Sequence, residues 1–456
     1  MKNKIPEKSA MGTLPIPKLI LSFALPAITG MVAGAIYNIV DRIFVGQYVG
    51  TVGLAAITVA FPTMIFMIAF AMLISVGGSS RVAILFGAGR KRAAEQALGI
   101  TFTLLAGAGV VLAVVGWFFA KEALVLSGGS GEVLALALPY LKIIMLCAPF
   151  ALIGFGVNAI VRACGSPRYA MCTQILGAVM NVVLDAVFIV GFDMGVVGAA
   201  IGTVAAQAVS AVFGLAYFWT RLAPLRIRAC FLGRLRLDVL KRICVVGSAP
   251  FFMQISFVLY MTIFNQLVLK YGGELGLSAM GIFFSIDSLI FLPALAVGEA
   301  VQPIIGYNFG AGFPKRVIRS VYWAVGMAVG FYVVSGGFAI IFAEQLVRLF
   351  SSNKELIALG VPGMRIAYLG IPFMGVTVVT NSALQGVGRG FASLALSFCR
   401  HVVCMFAPLF ILPEIFGFKG LWMAFVVGDA GGCLIAFGFL AWMLRWLRKP
   451  QTAASL

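Results

Sequence analysis

Apolar stretches long enough to cross a lipid bilayer fill almost the whole of this chain. A membrane helix needs about 20 mostly apolar residues, and charged or Gly/Pro-rich breaks divide the 456 residues into twelve such stretches. Hydrophobic residues make up 62% of the chain and charged residues 11%, whereas soluble domains have about 25% charged residues. The sequence therefore predicts an all-α integral membrane protein. We place the stretches at roughly 17–45, 53–80, 93–119, 133–161, 169–192, 196–220, 243–271, 276–307, 317–343, 356–386, 390–413 and 420–446.

Basic residues lie at alternate ends of these stretches. Cytoplasmic loops of membrane proteins carry an excess of Lys and Arg, so the basic side predicts the orientation. This side holds Lys2, Lys4, Lys8, residues 90–92, Arg162, Arg168, the run from Arg221 to Arg242, Lys315, Arg316, Arg389 and residues 445–449. We expect a multi-pass protein of the cell (inner) membrane with both termini in the cytoplasm. The net charge of +18 then requires no nucleic-acid partner, because basic loops bind an anionic lipid leaflet.

A sequence repeat divides the chain into two halves. FGAG occurs at residues 86–89 and again at 309–312, and NAIVRACG at 158–165 has the counterpart NSALQGVG at 381–388, so both pairs are 223 residues apart. Each half holds six stretches. Because six is even, the halves keep the same orientation and are related by an axis along the membrane normal. We expect two six-helix lobes, 1–220 and 243–456, joined by a basic connector, 221–242. Facing lobes would enclose a cavity that opens to alternate sides.

Asp41 is unusual because it lies in the first apolar stretch. A carboxylate at the centre of a membrane helix costs about 2.5–3.5 kcal/mol on insertion scales, and it usually faces the bundle interior or an aqueous cavity. Tyr37 and Asp41 are four residues apart, as are Asn181 and Asp185, so each pair shares one helix face. The two pairs could converge on one polar pocket. Packing alone, with Arg42 neutralising Asp41, is the alternative, and Asn181 could serve only interhelical hydrogen bonding.

The second half does not repeat this acidic pair. At the separation of 223 residues, Asn181 and Asp185 correspond to Cys404 and Pro408. Other acids lie at or near membrane depth in the second half instead. They are candidates for contact with a substrate or an ion, with structural polarity facing a cavity as the alternative. These residues are Asp287, Glu299 and Asp429.

Five motifs in order resemble one transporter family. They are PAITGMVAGAIYNIVDRIFVG from Pro26, FGAGRKRAAEQALG from Phe86, NAIVRACGSPRYA from Asn158, NVVLDAVFI from Asn181 and QPIIGYNFGAG from Gln302. Together they resemble the multidrug and toxic compound extrusion (MATE) transporters over nearly the whole chain. The resemblance implies an antiporter, not an enzyme, that exports organic and often cationic amphipathic compounds in exchange for H+ or Na+.

The resemblance also implies a cation site in the N-lobe. Asp41, Asn181, Asp185 and Thr203 match the cation ligands of the family. Tyr37, Tyr140 and Asn158 match its surrounding network, and Pro26 matches a bend in the first helix. Carboxylates, an amide and a hydroxyl suit Na+ as well as a proton, so the coupling ion stays open. No cofactor is expected, and the only metal expected is Na+ at this site.

Two other membrane functions remain as alternatives. A lipid-linked sugar flippase of the wider superfamily can share the lobe architecture, but it would usually line its cavity with more basic residues. A channel or receptor without coupled transport would have no need for the buried acids. No G-x-x-x-x-G-K-[ST] loop is present, so an ion gradient rather than ATP is the expected source of energy. We expect a monomer that contacts membrane lipid and a small organic substrate.

Overall fold

Six helices form the first half of the part of the chain that the structure describes. A computed structural model describes residues 10–233 and 236–449; Lys2, Lys4, Lys8 and Arg234 lie outside these ranges. The helices are α1 (Ile16–Tyr48), α2 (Thr51–Gly87), α3 (Lys91–Leu126), α4 (Gly131–Leu146 and Ala148–Ala163), α5 (Pro167–Asp185) and α6 (Gly195–Ala216). The two parts of α4 meet at a bend of 53°, and α5 continues as a π-helix over Ala186–Gly191.

The second half has the same plan. Its helices are α7 and α8, which share the continuous segment Leu237–Gly310, α9 (Pro314–Ile341), α10 (Lys354–Tyr368 and Ile371–Gly386), α11 (Gly390–Phe398, then Cys399–Phe406 and Ala407–Phe416) and α12 (Phe418–Arg448). The two parts of α10 meet at a bend of 45°, and the middle part of α11 is π-helical. Short helical segments lie between the long helices at Ala10–Thr13, Tyr217–Trp219, Ala229–Phe231 and Ala343–Arg348.

The segment Leu237–Gly310 must be two helices. As one helix its 74 residues would be about 110 Å long, more than three times the roughly 30 Å core of a bilayer. Gly273 interrupts it with φ 61° and ψ −159°, a conformation that favours glycine. Residues near both ends of the segment, Ile243 and Tyr307, pack on the second half of α2. We therefore assign α7 to 237–272 and α8 to 274–310, running in opposite directions.

The span count then agrees with the sequence. Within the described ranges, nine helices are long and apolar enough to cross a membrane, and eleven are if each bent pair is one span. Separating α7 from α8 gives twelve. The predicted all-α membrane fold is confirmed, with α1–α6 as the N-lobe and α7–α12 as the C-lobe.

Buried apolar side chains form three clusters. One lies in the N-lobe around Leu98, and another lies in the C-lobe around Phe264 and Trp422. The third combines the first half of α1, from Ile16 to Ala24, with residues of α8, α9, α10 and α12. Helix α1 therefore begins against the C-lobe and ends in the N-lobe cluster at Val45. It connects the two lobes mechanically.

Each copy of FGAG ends a helix in the same way. Gly89 and Gly312 have φ of 70° and 74°, in the left-handed region that glycine tolerates best. The N–H of Gly89 donates to the carbonyl of Phe86 at 3.0 Å, and the N–H of Arg90 donates to that of Leu85 at 3.0 Å; the second copy makes the same two bonds at 3.1 and 2.9 Å. This is the Schellman arrangement that caps a helix. The last glycine of the motif therefore allows the backbone to turn where the helix ends.

The first glycine of each copy lies where α2 crosses α8. A Cβ atom on Gly87 would overlap the carbonyl oxygen of Tyr307, and one on Gly310 would overlap that of Ile84. Residues 84 and 307 are also 223 apart, so the two contacts are equivalent under the repeat. Backbones can approach this closely only where small residues stand. The crossing marks the approximate twofold axis between the lobes.

Both FGAG loops, both described chain ends and the connector lie on one side of the molecule, called here the FGAG side. Near the start of the chain, the amide of Asn308 donates to the carbonyl of Met11 at 3.0 Å. Near its end, the ring of Trp446 lies 5.6 Å from that of Phe309. The two halves therefore have the parallel arrangement that the even number of spans predicts.

The connector packs on α3. Glu95, which is fully buried, accepts hydrogen bonds from the Nε of Arg228 at 2.5 Å and from the backbone N–H of Arg226 at 3.3 Å. The N–H of Gly233 donates to Thr103 Oγ1 at 3.1 Å. Helix α7 begins at Leu237, so the last six residues of the predicted connector, 237–242, are the first turns of that helix.

Candidate functional site

Helices α1 and α5 bring two acids together in the N-lobe. The carboxyl groups of Asp41 and Asp185 lie within hydrogen-bonding distance of each other, and Asp185 is fully buried. Two carboxylates this close repel each other unless a proton or another cation lies between them. Arg42 does not resolve the conflict by an ion pair, because the five pairs formed by the described residues leave it out. Its Cζ lies 6.0 Å from the ring centroid of Phe61.

An amide and a hydroxyl complete the pocket. The Nδ2 of Asn181 lies 3.3 Å from Thr203 Oγ1 and 3.5 Å from Asp185 Oδ1, and all three residues are buried. Three buried oxygens, Asp41 Oδ1, Asn181 Oδ1 and Asp185 Oδ2, receive no hydrogen bond. A buried pocket with surplus acceptors is costly. Its donor set therefore fits a proton or a small hard cation such as Na+.

Gly202 of α6 makes this arrangement possible. A Cβ atom at this position would overlap Oδ1 of Asp185, so only glycine allows the carboxylate to lie against the α6 backbone. The sequence analysis did not single out Gly202. Its position next to Thr203 is a weak signal, since the chain has 53 glycines.

Two predicted tyrosines border the acids. Tyr37 and Tyr140 both interact electrostatically with Asp41 and Asp185. The Tyr140 hydroxyl lies 3.9 Å from the sulfur of Met64. Both tyrosines are therefore placed as the sequence analysis expects, around the acid pair.

Pro26 lies farther along α1. It is buried inside the helix, fifteen residues before Asp41, which is about 22 Å at 1.5 Å per residue. A proline inside a helix removes one backbone hydrogen bond and permits bending. Pro26 therefore lies between the part of α1 that packs on the C-lobe and the part that carries Asp41.

Asn158 lies in a different network. Its amide donates to the carbonyl of Ala170 at 2.7 Å and to Thr173 Oγ1 at 3.1 Å, and its oxygen accepts a bond from Arg162. Its repeat counterpart, Asn381, bonds to Ser393 and Ser397 at 2.5 and 3.1 Å. In both lobes this asparagine therefore joins the fourth helix of the lobe to the fifth.

Glu299 forms an ion pair between the lobes. Its Oε2 lies 2.8 Å from the Nη2 of Arg162, and the two side chains are 26% and 11% exposed. Arg162 belongs to α4 and Glu299 to α8, so the pair closes the space between the N-lobe and the C-lobe. This partner makes Glu299 a poorer candidate for binding substrate than the sequence alone indicates.

Further inter-lobe contacts lie on the same side. Ser80 Oγ donates to the carbonyl of Gln385 at 2.5 Å, and Gln302 Nε2 donates to the carbonyl of Val76 at 3.3 Å. A Cβ atom on Gly247 of α7 would overlap a carbonyl oxygen of α2. These residues lie on the half of α2 that ends at FGAG. The two lobes are therefore closed against each other on the FGAG side.

The C-lobe has its own buried polar cluster. Asp429 pairs with Arg400 Nη2 at 3.3 Å. Asp287 interacts electrostatically with Asp429 and with the tyrosines 332 and 368, and it takes part in none of the five ion pairs of the described residues. The hydroxyls of Tyr332 and Tyr368 and the Nε of Arg400 are buried without a hydrogen-bond partner. The cluster can therefore accept a polar or charged ligand.

Arg400 and the two tyrosines were not predicted from the sequence. Arg400 lies inside the apolar stretch 390–413, so the argument that singled out Asp41 applies to it equally. Nothing in the sequence placed Tyr332 and Tyr368 beside Asp287, because that depends on how three helices pack.

Comparison with known proteins agrees with this architecture. The MatE family model matches residues 26–187 and 250–410, one range in each lobe. The multidrug export protein MepA of Staphylococcus aureus (strain bovine RF122 / ET3-1) is 26% identical over 435 residues, which is 94% of each chain.

Two solved structures are similar over nearly their whole length. An outward-facing multidrug resistance MATE family transporter of the MOP superfamily superposes with a TM-score of 0.91 at 25% identity, covering 98% of this chain and 100% of that one. A MOP superfamily transporter from Pyrococcus furiosus Vc1 (DSM3638), for which reverse polarity of the binding pocket suggests a different function, gives 0.91 and 25%, with 97% and 100% covered. Pocket polarity therefore has to be considered separately from the fold.

Proposed function

Because this chain belongs to the MatE family, we propose that it exports organic cations and related amphipathic compounds from the cell in exchange for H+ or Na+. The similar MepA protein is a multidrug export protein, which supports the substrate class. The observation that carries the exchange mechanism is the contact between Asp41 and Asp185. Since one chain supplies both acids, the transporter works as a monomer.

The coupling follows from the path of α1. A cation between Asp41 and Asp185 holds α1 against α5, and its loss leaves two carboxylates that repel each other. The first half of α1 packs on the C-lobe, so a displacement of its second half is transmitted to the contact between the lobes. Pro26 lies between the two halves and absorbs the bend. Loading and unloading of the N-lobe pocket therefore biases which side of the cavity is open.

The side that is closed here is the cytoplasmic one in this proposal. The FGAG side carries the basic loops, and the positive-inside bias places these in the cytoplasm of a cell-membrane protein. The ion pair between Arg162 and Glu299 and the crossing of α2 with α8 then form the cytoplasmic seal. To take up a drug from the cytoplasm, the lobes must separate at these contacts.

The charges of the interior favour cationic substrates. Asp287 has neighbouring acid and tyrosine groups but no ion pair within the described ranges, so it attracts a positive group in a low-dielectric site. The alternative of a lipid-linked sugar flippase would need a basic cavity to hold a diphosphate. Since the fold alone does not determine function, the acids are what support drug export here.

The energy available is moderate. One positive charge moving inward down 100 mV releases about 2.3 kcal/mol, which could sustain roughly a fifty-fold gradient of an uncharged substrate at about 1.4 kcal/mol per tenfold change. Exchange of one cation for one monovalent cationic drug moves no net charge. Such a drug must then be driven by the chemical gradient of the coupling ion or by a higher stoichiometry.

Transport in vesicles with an imposed H+ or Na+ gradient tests the proposal. We expect the gradient of one ion to drive efflux of a cationic dye by the wild type, and Asp41→Asn and Asp185→Asn to abolish it while still reaching the membrane. Asp193→Asn is the matched control, because Asp193 is an exposed acid with φ 53°, which asparagine also tolerates. Efflux by Asp41→Asn at the wild-type rate would refute the coupling role.

A further inference from the structure

A cavity of about 410 Å³ lies where the two lobes meet on the FGAG side. Helix α2 of the N-lobe contributes one wall, and α7, α8 and the junction of α10 with α11 contribute the C-lobe wall. The cavity contains no member of the two acidic clusters. The proposed transport mechanism therefore gives it no role.

Positive charge dominates its polar wall. Arg81 comes from the N-lobe, and Lys241 and Arg242 come from the first turns of α7. The acid that lines the cavity, Asp238, already accepts two hydrogen bonds from Arg236, at 3.1 and 3.0 Å. Among the described residues, the lining carries three basic groups and one acid, an excess of positive charge that favours an anion.

Like charges are held together in this wall. Arg81 is repelled by Arg242 and also by Arg90, which lies just beyond the cavity, and it is attracted by Asp238. Bringing basic groups from two lobes into one cleft creates a repulsion that added negative charge reduces. An anion placed among them would reduce this repulsion and would contact both lobes at once.

The rest of the lining is apolar. Ile84, Phe309 and Val387 are buried around the cavity, and Phe391, at the start of α11, is 71% exposed. An exposed aromatic ring beside a basic cleft at the ends of membrane helices offers contacts both for a charged headgroup and for a hydrocarbon chain. A small inorganic anion would use only the basic wall.

We propose that this cavity binds the phosphate headgroup of an anionic phospholipid, with an acyl chain against Phe391. Guanidinium groups bind phosphate oxygens with paired hydrogen bonds, and basic pockets between membrane helices bind anionic headgroups. A free phosphate shares the headgroup chemistry, but the apolar wall favours the lipid. Bound there, the lipid bridges α2 and α7 and stabilises the arrangement in which the FGAG side is closed.

Thermal unfolding of the detergent-solubilised full-length protein, with increasing phosphatidylglycerol, measures the binding. A ligand that binds only the folded state stabilises it by RT ln(1 + [L]/Kd), so a weaker site needs proportionally more ligand to reach the same Tm. The double variant Lys241→Gln with Arg242→Gln changes two exposed side chains, so its fold should be intact. Each basic residue near an anionic lipid contributes roughly a fivefold gain in affinity. We expect the lipid concentration that gives a fixed Tm shift to rise roughly 25-fold.

The control removes the same charge elsewhere on the same side. Lys315→Gln with Arg319→Gln changes two exposed residues outside the cavity and should respond to phosphatidylglycerol as the wild type does. Phosphatidylcholine and inorganic phosphate should leave the Tm unchanged. An equal response of both double variants would overturn the site. A Tm shift with inorganic phosphate as large as with phosphatidylglycerol would overturn its assignment to lipid.

Discussion

In the N-lobe the buried Asp185 faces the half-buried Asp41, whereas in the C-lobe the half-buried Asp429 faces an arginine. Asp41 and Asp185 share their pocket with an amide and a hydroxyl, so it can be neutralised only by a proton or another cation. Asp429 instead has Arg400 at 3.3 Å, and only Asp287 adds a further negative charge. Under the proposed function, the N-lobe pocket would load and release the coupling ion, and the C-lobe cluster would select the substrate.

The features that the lobes do share concern the ends of helices and the contacts between them. Both have the Schellman cap after FGAG, the glycine at the crossing of α2 with α8 and the asparagine that joins the fourth helix to the fifth. These features determine how helices end and pack. A repeated fold can therefore keep its frame while its two halves acquire different buried charges.

Replacing one acid in each lobe by its neutral amide should show the difference between the lobes most clearly. We expect Asp185→Asn to reduce gradient-driven efflux of cationic and neutral dyes alike by at least about 100-fold, because coupling is lost. Asp287→Asn should reduce efflux of cationic dyes by about tenfold and leave neutral dyes nearly unchanged, since one buried attraction of about 1.4 kcal/mol is removed. Initial rates in vesicles measure both. Equal losses for both dye classes with Asp287→Asn would contradict a selective role of the C-lobe.

The ion pair between the lobes should give a smaller effect. Removing one partner of a fully buried ion pair costs about 3–5 kcal/mol. Because Glu299 and Arg162 are 26% and 11% exposed, we expect Glu299→Gln to destabilise the closed arrangement of the lobes by about 1–2 kcal/mol. The FGAG side should then be open roughly 5 to 30 times more often. A cysteine at Ser80, which is buried between the lobes, would be labelled faster by that factor.

This measurement has an internal control. The exposed native cysteines, Cys172 and Cys230, and the half-buried Cys244 and Cys399 are first replaced so that the new thiol is the accessible one. Exchanging the charges, with Arg162→Glu and Glu299→Arg together, should return the labelling rate towards that of the wild type. An unchanged rate in Glu299→Gln would show that the pair does not contribute to closure.

The smallest expected effect on transport concerns the asparagine that both lobes share. Asn158→Ala and Asn381→Ala should each destabilise the protein by about 1–3 kcal/mol, because buried hydrogen-bonding groups lose their partner, and the two losses should be similar. Thermal unfolding measures this. The concentration of coupling ion for half-maximal transport should change by less than about threefold in Asn158→Ala. Loss of ion dependence at unchanged stability would instead return Asn158 to the cation network.

The fold was largely predictable because the bilayer imposes it. Span length and the even repeat predict two six-helix lobes without knowledge of side-chain contacts, and the structure confirms them. Gly273 lies in the four-residue gap, 272–275, between two predicted apolar stretches, and the helix resumes directly after it. Single glycines that turn a helix back do not change a hydropathy pattern.

The site was predictable where helix periodicity or a motif applied. Spacing of four residues paired Tyr37 with Asp41 and Asn181 with Asp185, and the resemblance to a known family placed both pairs in one pocket. The partners of Glu299 and Asp429 could not be found in this way. Arg162 and Arg400 are distant in sequence, and their approach depends on how the lobes close and on the π-helical part of α11.

The crossing at FGAG has a consequence for the membrane as a whole. Where α2 meets α8, glycine allows the two backbones to touch, and close-packed protein of this kind leaves no room for a water molecule. A continuous chain of water molecules through the closed side would conduct protons and dissipate the proton gradient across the membrane. A tight backbone contact prevents such a leak without relying on long side chains that move. Residues at 87 and 310 larger than glycine would therefore harm the energised membrane as well as export.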